Sequence, residues 1–239
     1  MSRVPTIESA LCKLIESGIR IDTVVDVGVQ SGTSFLSDAF PRAHHHLFEP
    51  VDVYFDTIRT QYCDISHELH HVAVSSDTGT AFQVGVSADG SPRVTHSYIS
   101  EEPIPIGQVT PQGIVLQCKS IEKVTLDTFF ALRPILGSYL VKIDTDGHEL
   151  PIIDGGAVVL GGADVVIVEA AMHSLLERAN AIVRLGFDLL EMVDLCYYHD
   201  LLSQVDLIFV RKETALKCPD LRPWSTKAFS FEQWQRFSP

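Results

Sequence analysis

The sequence predicts an α/β fold: a mostly parallel sheet with helices on both faces. Three observations point there. Short continuous apolar runs at 23–28, 139–143 and 165–168 read as strands buried on both faces. Segments with apolar residues at helical spacing lie between such runs, as in crossover-connected parallel sheets. Polar residues gather where the runs stop, at the edge where open α/β sheets bind ligands.

Each element has its own reason. At 6–18, Ile7, Ala10, Leu11, Leu14 and Ile15 keep helical spacing, and Gly18 closes the helix. This N-terminal helix accounts for residues 1–20. Residues 23–28 form the first strand. A helix over 33–40 stops at Pro41. A second strand, 44–48, ends in Glu49-Pro50. Residues 51–62 read as helix and 69–75 as a third strand. From 77 to about 125, short β-type stretches are split by Asp89-Gly90, Pro103, Pro105 and Pro111, predicting a β-hairpin insertion or edge structure. Strands at 139–143 and 165–168 flank a short helix at 148–154, capped by Gly155-Gly156. Residues 174–185 read as a helix with Ser174 at its N-cap. Strands at 187–193 and 205–210 complete the sheet. The tail, 213–239, holds Trp224 and Trp234 and is expected to pack over the core. Its Phe229, Phe231, Trp234 and Phe237 suit core cover or a dimer contact. No linker interrupts the chain, so residues 1–239 are expected to be one domain.

Composition narrows the function. The 239 residues include 18 Lys+Arg against 31 Asp+Glu, a formal net charge of −13. That balance argues against nucleic acid, which needs clustered cations, and against an anionic membrane surface. No apolar run reaches the ~18 residues of a membrane span, and the first dozen residues lack a secretory pattern. The cysteines (Cys12, Cys63, Cys118, Cys196, Cys218) contain no CxxC pair. Reduced thiols in a cytoplasmic protein are expected. A homo-oligomer is compatible with the sequence.

Acids stand at successive strand ends: Glu49, Asp77, Asp144 and Glu169, with His173 four residues beyond the last. The first strand leads into Gly28-Val29-Gln30-Ser31-Gly32, which lacks the central glycine of a G-x-G-x-x-G pyrophosphate cradle. Asp26, just before the loop, favours a cationic ligand over a phosphate. Glu49 stands where an acid accepts hydrogen bonds from ribose hydroxyls. Together these point to a nucleoside-type cofactor.

The run 24–35 (VVDVGVQSGTSF) resembles motif I of class I S-adenosylmethionine-dependent methyltransferases. The run 140–156 (LVKIDTDGHELPIIDGG) resembles the more specific motif of the FkbM family, and LFEP at 47–50 its acidic motif after strand two. VAVS at 72–75 and VTLD at 124–127 resemble the family more weakly. The likeness runs from about residue 20 to residue 211. It implies a Rossmann-like seven-stranded sheet with a last antiparallel strand, and S-adenosylmethionine as methyl donor. It implies that Gly28 and Gly32 approach the methionine part and Asp26 its amino group. Glu49 would hold the ribose hydroxyls, with Val74 and Ser75 beside the adenine. It implies O-methylation of a sugar, glycan or secondary metabolite. Thr145-Asp146 and His148 depart from the usual residues, leaving acceptor and base open.

Alcohol methylation needs in-line positioning and help in removing a proton. Asp144, Glu169 and His173 are the catalytic candidates. Direct proton acceptance is favoured over a route in which Asp144 and Glu169 bind Mg²⁺, because two carboxylates are a thin ligand set. For Asp144 the alternative is capping the helix near His148. Asp146 reads as a turn acid, Glu149 as a first-turn charge favoured by the helix dipole, and Lys142 as half of a buried ion pair. Among His44-His45-His46 only His44 and His46 can share a face of a strand, and no further ligand is close in sequence. His70-His71 carries no stronger metal signal. Two other classes remain: a nicotinamide-dependent oxidoreductase, weakened by the missing glycine, and a non-catalytic interaction module retaining the fold.

Overall fold

The computed structural model describes residues 4–221 and residue 231. Helix α1 (Ile7–Glu16) starts at Thr6, whose hydroxyl accepts from the Ser9 amide while Ser9 returns the contact, a reciprocal cap. Then follow β1 (Thr23–Val27), α2 (Ser34–Ala39), β2 (His44–Phe48), a 3₁₀ turn and α3 (Phe55–Gln61). Next come β3 (His67–His70), β4 (Ala73–Val74), β5 (Gly79–Ser87), β6 (His96–Ser100), β7 (Val109–Thr110) and β8 (Gly113–Val124). The chain continues through α4 (Leu126–Phe130), β9 (Tyr139–Ile143), α5 (Glu149–Gly155), α6 (Ala157–Gly162), β10 (Val165–Ala171) and α7 (Leu175–Arg184). It ends in β11 (Phe187–Tyr198), β12 (Leu201–Arg211) and α8 (Lys212–Lys217).

Seven strands form the main sheet, in the order β11-β12-β10-β9-β1-β2-β3. All pairs from β10 to β3 are parallel, and β12 runs antiparallel between β10 and β11. This is the α/β architecture expected, with the reversed last strand. Alternation along the strands divides the core. Val24, Leu140, Ile167 and Ile208 pack with α1 and with Leu36 and Ala215 from α2 and α8. Val25, Val141, Val166 and Leu207 pack with residues of α4, α5, α6 and α7 on the other face.

The sequence-based expectations need three corrections here. The third strand, expected over 69–75, is two strands in different sheets. β3 pairs with β2, whereas β4 pairs with β8. The β-hairpin insertion expected from 77 to about 125 is present, as antiparallel strands of a second sheet, β4-β8-β5-β6, with β7 on β8. β10 continues to Ala171, so Glu169 lies within it. Ser174 occupies the N-cap of α7 but makes no capping bond; its hydroxyl donates back to the Ala171 carbonyl. Of the tail, Ala215 and Leu221 join the core and Phe231 is exposed. Trp224, Phe229, Trp234 and Phe237 lie outside the described residues. No helix among the described residues is long and apolar enough to cross a membrane.

Candidate active site

A cavity of about 360 Å³ opens at the carboxyl edge of the main sheet. One wall comes from the ends of β1, β2, β9 and β10: Gly28, Glu49, Asp144 and Glu169. The facing wall comes from the second sheet: Val74, Gln83, His96, Ser97 and Tyr98. Thr145, Asp146 and His148 border it from the loop after β9.

Gly28 has φ +87, and a Cβ there would overlap the Asp144 carbonyl, so only glycine lets this loop close onto the neighbouring strand. Its amide donates to Phe48 O at 3.0 Å, while the Asp144 amide donates to Val27 O at 3.0 Å. These backbone bonds join three strand ends. The Glu49 carboxylate accepts from the Gln30 amide at 2.7 Å and the Val51 amide at 2.8 Å. Burial pushes its pKa up to about 7, against the pull of those amides.

A row of ionisable side chains runs along one face of the edge. Asp26, Lys142, Glu169 and Asp206 stand two residues beyond Val24, Leu140, Ile167 and, on the reversed strand, before Ile208, so all project toward the α1 side. Lys142 is the buried ion-pair residue expected. Its Nζ lies 3.0 Å from Asp144 Oδ2 and 3.7 Å from Asp26 Oδ1. Burial pulls the ammonium pKa down, but Asp26 and Asp144 more than offset that and hold it above the ordinary lysine value. Asp26 is wholly buried, has no hydrogen-bond partner for either carboxylate oxygen among the described residues, and is pushed up by burial against the pull of Lys142. The Glu169 carboxyl rises to about 9, by burial first and the Asp144 charge second. It therefore holds a proton at neutral pH, and it accepts from Gln204 Nε2.

The loop after β9 hangs on Glu149. Its Oε1 accepts from the Thr145 amide at 3.0 Å, the Thr145 hydroxyl at 3.2 Å and the Gly147 amide at 3.0 Å. Its other oxygen accepts from Arg178 Nη2 on α7. Both side chains are buried. The dipole reading of Glu149 therefore understates it, because it fixes the loop bordering the cavity. His148 Nε2 contacts Ser75 Oγ at 3.0 Å, and burial lowers the His148 pKa.

The candidates thus separate. Gly28, Glu49, Val74, Asp144 and Glu169 line the cavity. Asp26 stands beneath it against Lys142, Gly32 lies against Gln61, and Ser75 is buried behind His148. His173 is exposed in the turn after β10, outside the cavity lining. Asp144 is not a helix cap; the N-cap of α5 is His148, which makes no side-chain capping bond. Sequence reading did not single out Gln83, His96 or Tyr98, whose place depends on how the insertion folds back.

Residues 26–195 match the family described as Methyltransferase FkbM domain. No curated protein matches. Among solved structures, the chain is similar to a precorrin-6y C5,15-methyltransferase from Geobacter metallireducens. Identity is 14%, coverage 86% of this chain and 87% of that one, and TM-score 0.44. It is also similar to an rRNA methylase from Streptococcus thermophilus, at 12% identity, 88% and 98% coverage and TM-score 0.46. An archaeal fibrillarin from Methanococcus jannaschii gives 10% identity, 86% and 75% coverage and TM-score 0.45. The family match spans most of the chain, from the buried acid of β1 through the second glycine-bordered motif to β11, and by it the chain belongs to the FkbM methyltransferases, enzymes that depend on S-adenosylmethionine.

Proposed function

We propose that the chain methylates a hydroxyl oxygen of a sugar, glycan or secondary metabolite, with Asp144 as proton acceptor. The observation that carries this is the Lys142–Asp144–Glu169 arrangement at the cavity. Glu169 holds a proton, whereas Asp144 is ion-paired to Lys142 through Oδ2. Asp144, whose side chain is 37% exposed at the cavity and hydrogen-bonds Glu169, is then the carboxylate that would accept the hydroxyl proton as the oxygen is alkylated. The described lining contains no Lys or Arg, which suits a neutral polyhydroxylated acceptor better than an anionic one. Gln83, Ser97 and Tyr98 would orient its hydroxyls.

The residues present fit the donor. Gly28 keeps the loop low, Glu49 offers a buried carboxyl to ribose hydroxyls, and Val74 with Phe48 and Val72 supplies an apolar slot for the base. S-adenosylmethionine supplies an activated methyl on a cationic sulfonium. Asp144 and Glu169 could hold Mg²⁺, but no third carboxylate or imidazole joins them in a ligand cluster among the described residues. Two carboxylates are a thin ligand set, so the metal-free route is the one proposed. We place the chain in the cytoplasm as a single methyltransferase domain, with a small-molecule or glycan acceptor.

Calorimetry with S-adenosylhomocysteine, with NADH as control, followed by an acceptor screen on sugars, tests the reading. Asp144→Asn should keep S-adenosylhomocysteine affinity and lose roughly 10²-fold or more in turnover. An unchanged rate removes Asp144 from catalysis. Loss of activity in EDTA, restored by Mg²⁺, moves the role to a metal.

A further inference from the structure

His44 and His46 alternate along β2 and so project to the same face of the sheet. In the parallel register His46 stands beside Glu68 of β3, and Phe48 beside His70. This brings together groups that are 22 or more residues apart in the chain. One ligand atom from each of His44, His46 and Glu68 lies within 4.8 Å of the others. His44 Nε2 is 3.7 Å from Glu68 Oε1. Two donors bound ~2.1 Å from a tetrahedral ion stand about 3.4 Å apart, so small side-chain rotations would close this set around one ion.

The surroundings favour the required tautomer. His44 Nδ1 is 2.8 Å from Ser66 Oγ. With its proton directed to that hydroxyl, Nε2 presents its lone pair toward Glu68, the outer-shell arrangement common behind metal-bound imidazoles. On the other side, His46 Nδ1 and His70 Nε2 face each other at 3.1 Å, and the rings stack at 5.3 Å. His70 therefore adjoins the set as a further imidazole.

We propose that His44, His46 and Glu68 bind one divalent transition-metal ion, Zn²⁺ by ligand type, at the open edge of the main sheet. Imidazole nitrogens with a single carboxylate select this class over Mg²⁺ or Ca²⁺, which prefer all-oxygen sets. The site is separate from the cavity lined by Asp144 and Glu169. The ion joins β3, the edge strand, to β2 by side-chain bonds in addition to the ladder.

The test uses untagged, EDTA-stripped protein titrated with ZnCl₂, with MgCl₂ as comparator, in wild type, His44→Ala and Glu68→Gln. One Zn²⁺ per chain is expected, with a Zn²⁺-dependent rise in Tm and no response to Mg²⁺. Each variant should weaken Zn²⁺ binding roughly tenfold or more. Because His44 and Glu68 are partly exposed, the variants should still fold, which retained S-adenosylhomocysteine binding verifies. Co²⁺ substitution should give a spectrum without thiolate charge transfer. Absence of stoichiometric Zn²⁺ binding overturns the proposal. So does undiminished binding in the two variants, or a thiolate band assigning the ion to a cysteine.

Discussion

The substitution Glu149→Gln isolates the buried pair that holds the loop after β9. The new amide keeps an oxygen for the Thr145 and Gly147 donors, but Arg178 loses its counter-charge. Glu149 is its one ion-pair partner among the described residues, and its Nε and Nη1 lack hydrogen-bond partners. The guanidinium has little water to fall back on, since the Arg178 side chain is only 4% exposed. Removing one member of such a pair costs about 3–5 kcal/mol. For a chain of this size each kcal/mol lowers Tm by ~2–4 °C, giving a fall of roughly 6–20 °C. The double variant Glu149→Gln/Arg178→Met removes the stranded charge and should recover most of the loss, with S-adenosylhomocysteine binding close to wild type. Thermal denaturation by circular dichroism reads the first effect and calorimetry the second. A Glu149→Gln Tm within about 2 °C of wild type, below the loss of even 1 kcal/mol, would refute the reasoning. A double variant no more stable than the single one would do the same.

Two further outcomes follow from the site. Gly28→Ala places a methyl on the Asp144 carbonyl at φ +87, so it should lower stability by about 2 kcal/mol or more and abolish S-adenosylhomocysteine binding; a variant that binds normally would show that the loop need not lie so close. Asp206 is pushed from 3.8 to about 7, by burial first and then by the Asp144 charge, and its Oδ1 has no hydrogen-bond partner among the described residues. The folded chain thus keeps a proton that the unfolded chain has released, and stability falls as pH rises from about 4 through 7. Asp206→Asn should match wild type near pH 4 and exceed it by on the order of 1–3 kcal/mol at pH 8; equal Tm values across that range would contradict this.

The sheet was largely legible because its parallel strands are buried on both faces and read as short apolar runs. β2 and β9 have the residues expected, and Gly28, Glu49 and Asp144 stand at strand ends as anticipated. What escaped the sequence depends on pairing between distant segments. Leu69 to Ser75 looks like one strand, and its division becomes visible only with β8, whose Lys123 and Val124 pair with Ala73 and Val74. The weight carried by Glu149 depends on Arg178, 29 residues later and on another helix. His44 and His46 lacked a third ligand until the β2–β3 register brought Glu68 beside them. The cavity wall of Gln83, His96 and Tyr98 was hidden for the same reason: short amphipathic strands do not say which way an insertion folds.

That insertion has a consequence for how the protein can change. The two sheets share no hydrogen-bonded strand, yet each supplies one side of the same cavity. Residues on β6 can therefore vary in size and polarity without shifting the register of β1, β2 and β9, which sets Gly28, Glu49 and Asp144. Such a division lets one half of the cavity drift while the other stays under constraint. A lineage with this architecture could acquire new acceptors through side chains such as His96 and Tyr98 alone. Grafting β5 and β6 between relatives would be the natural way to exchange preferences.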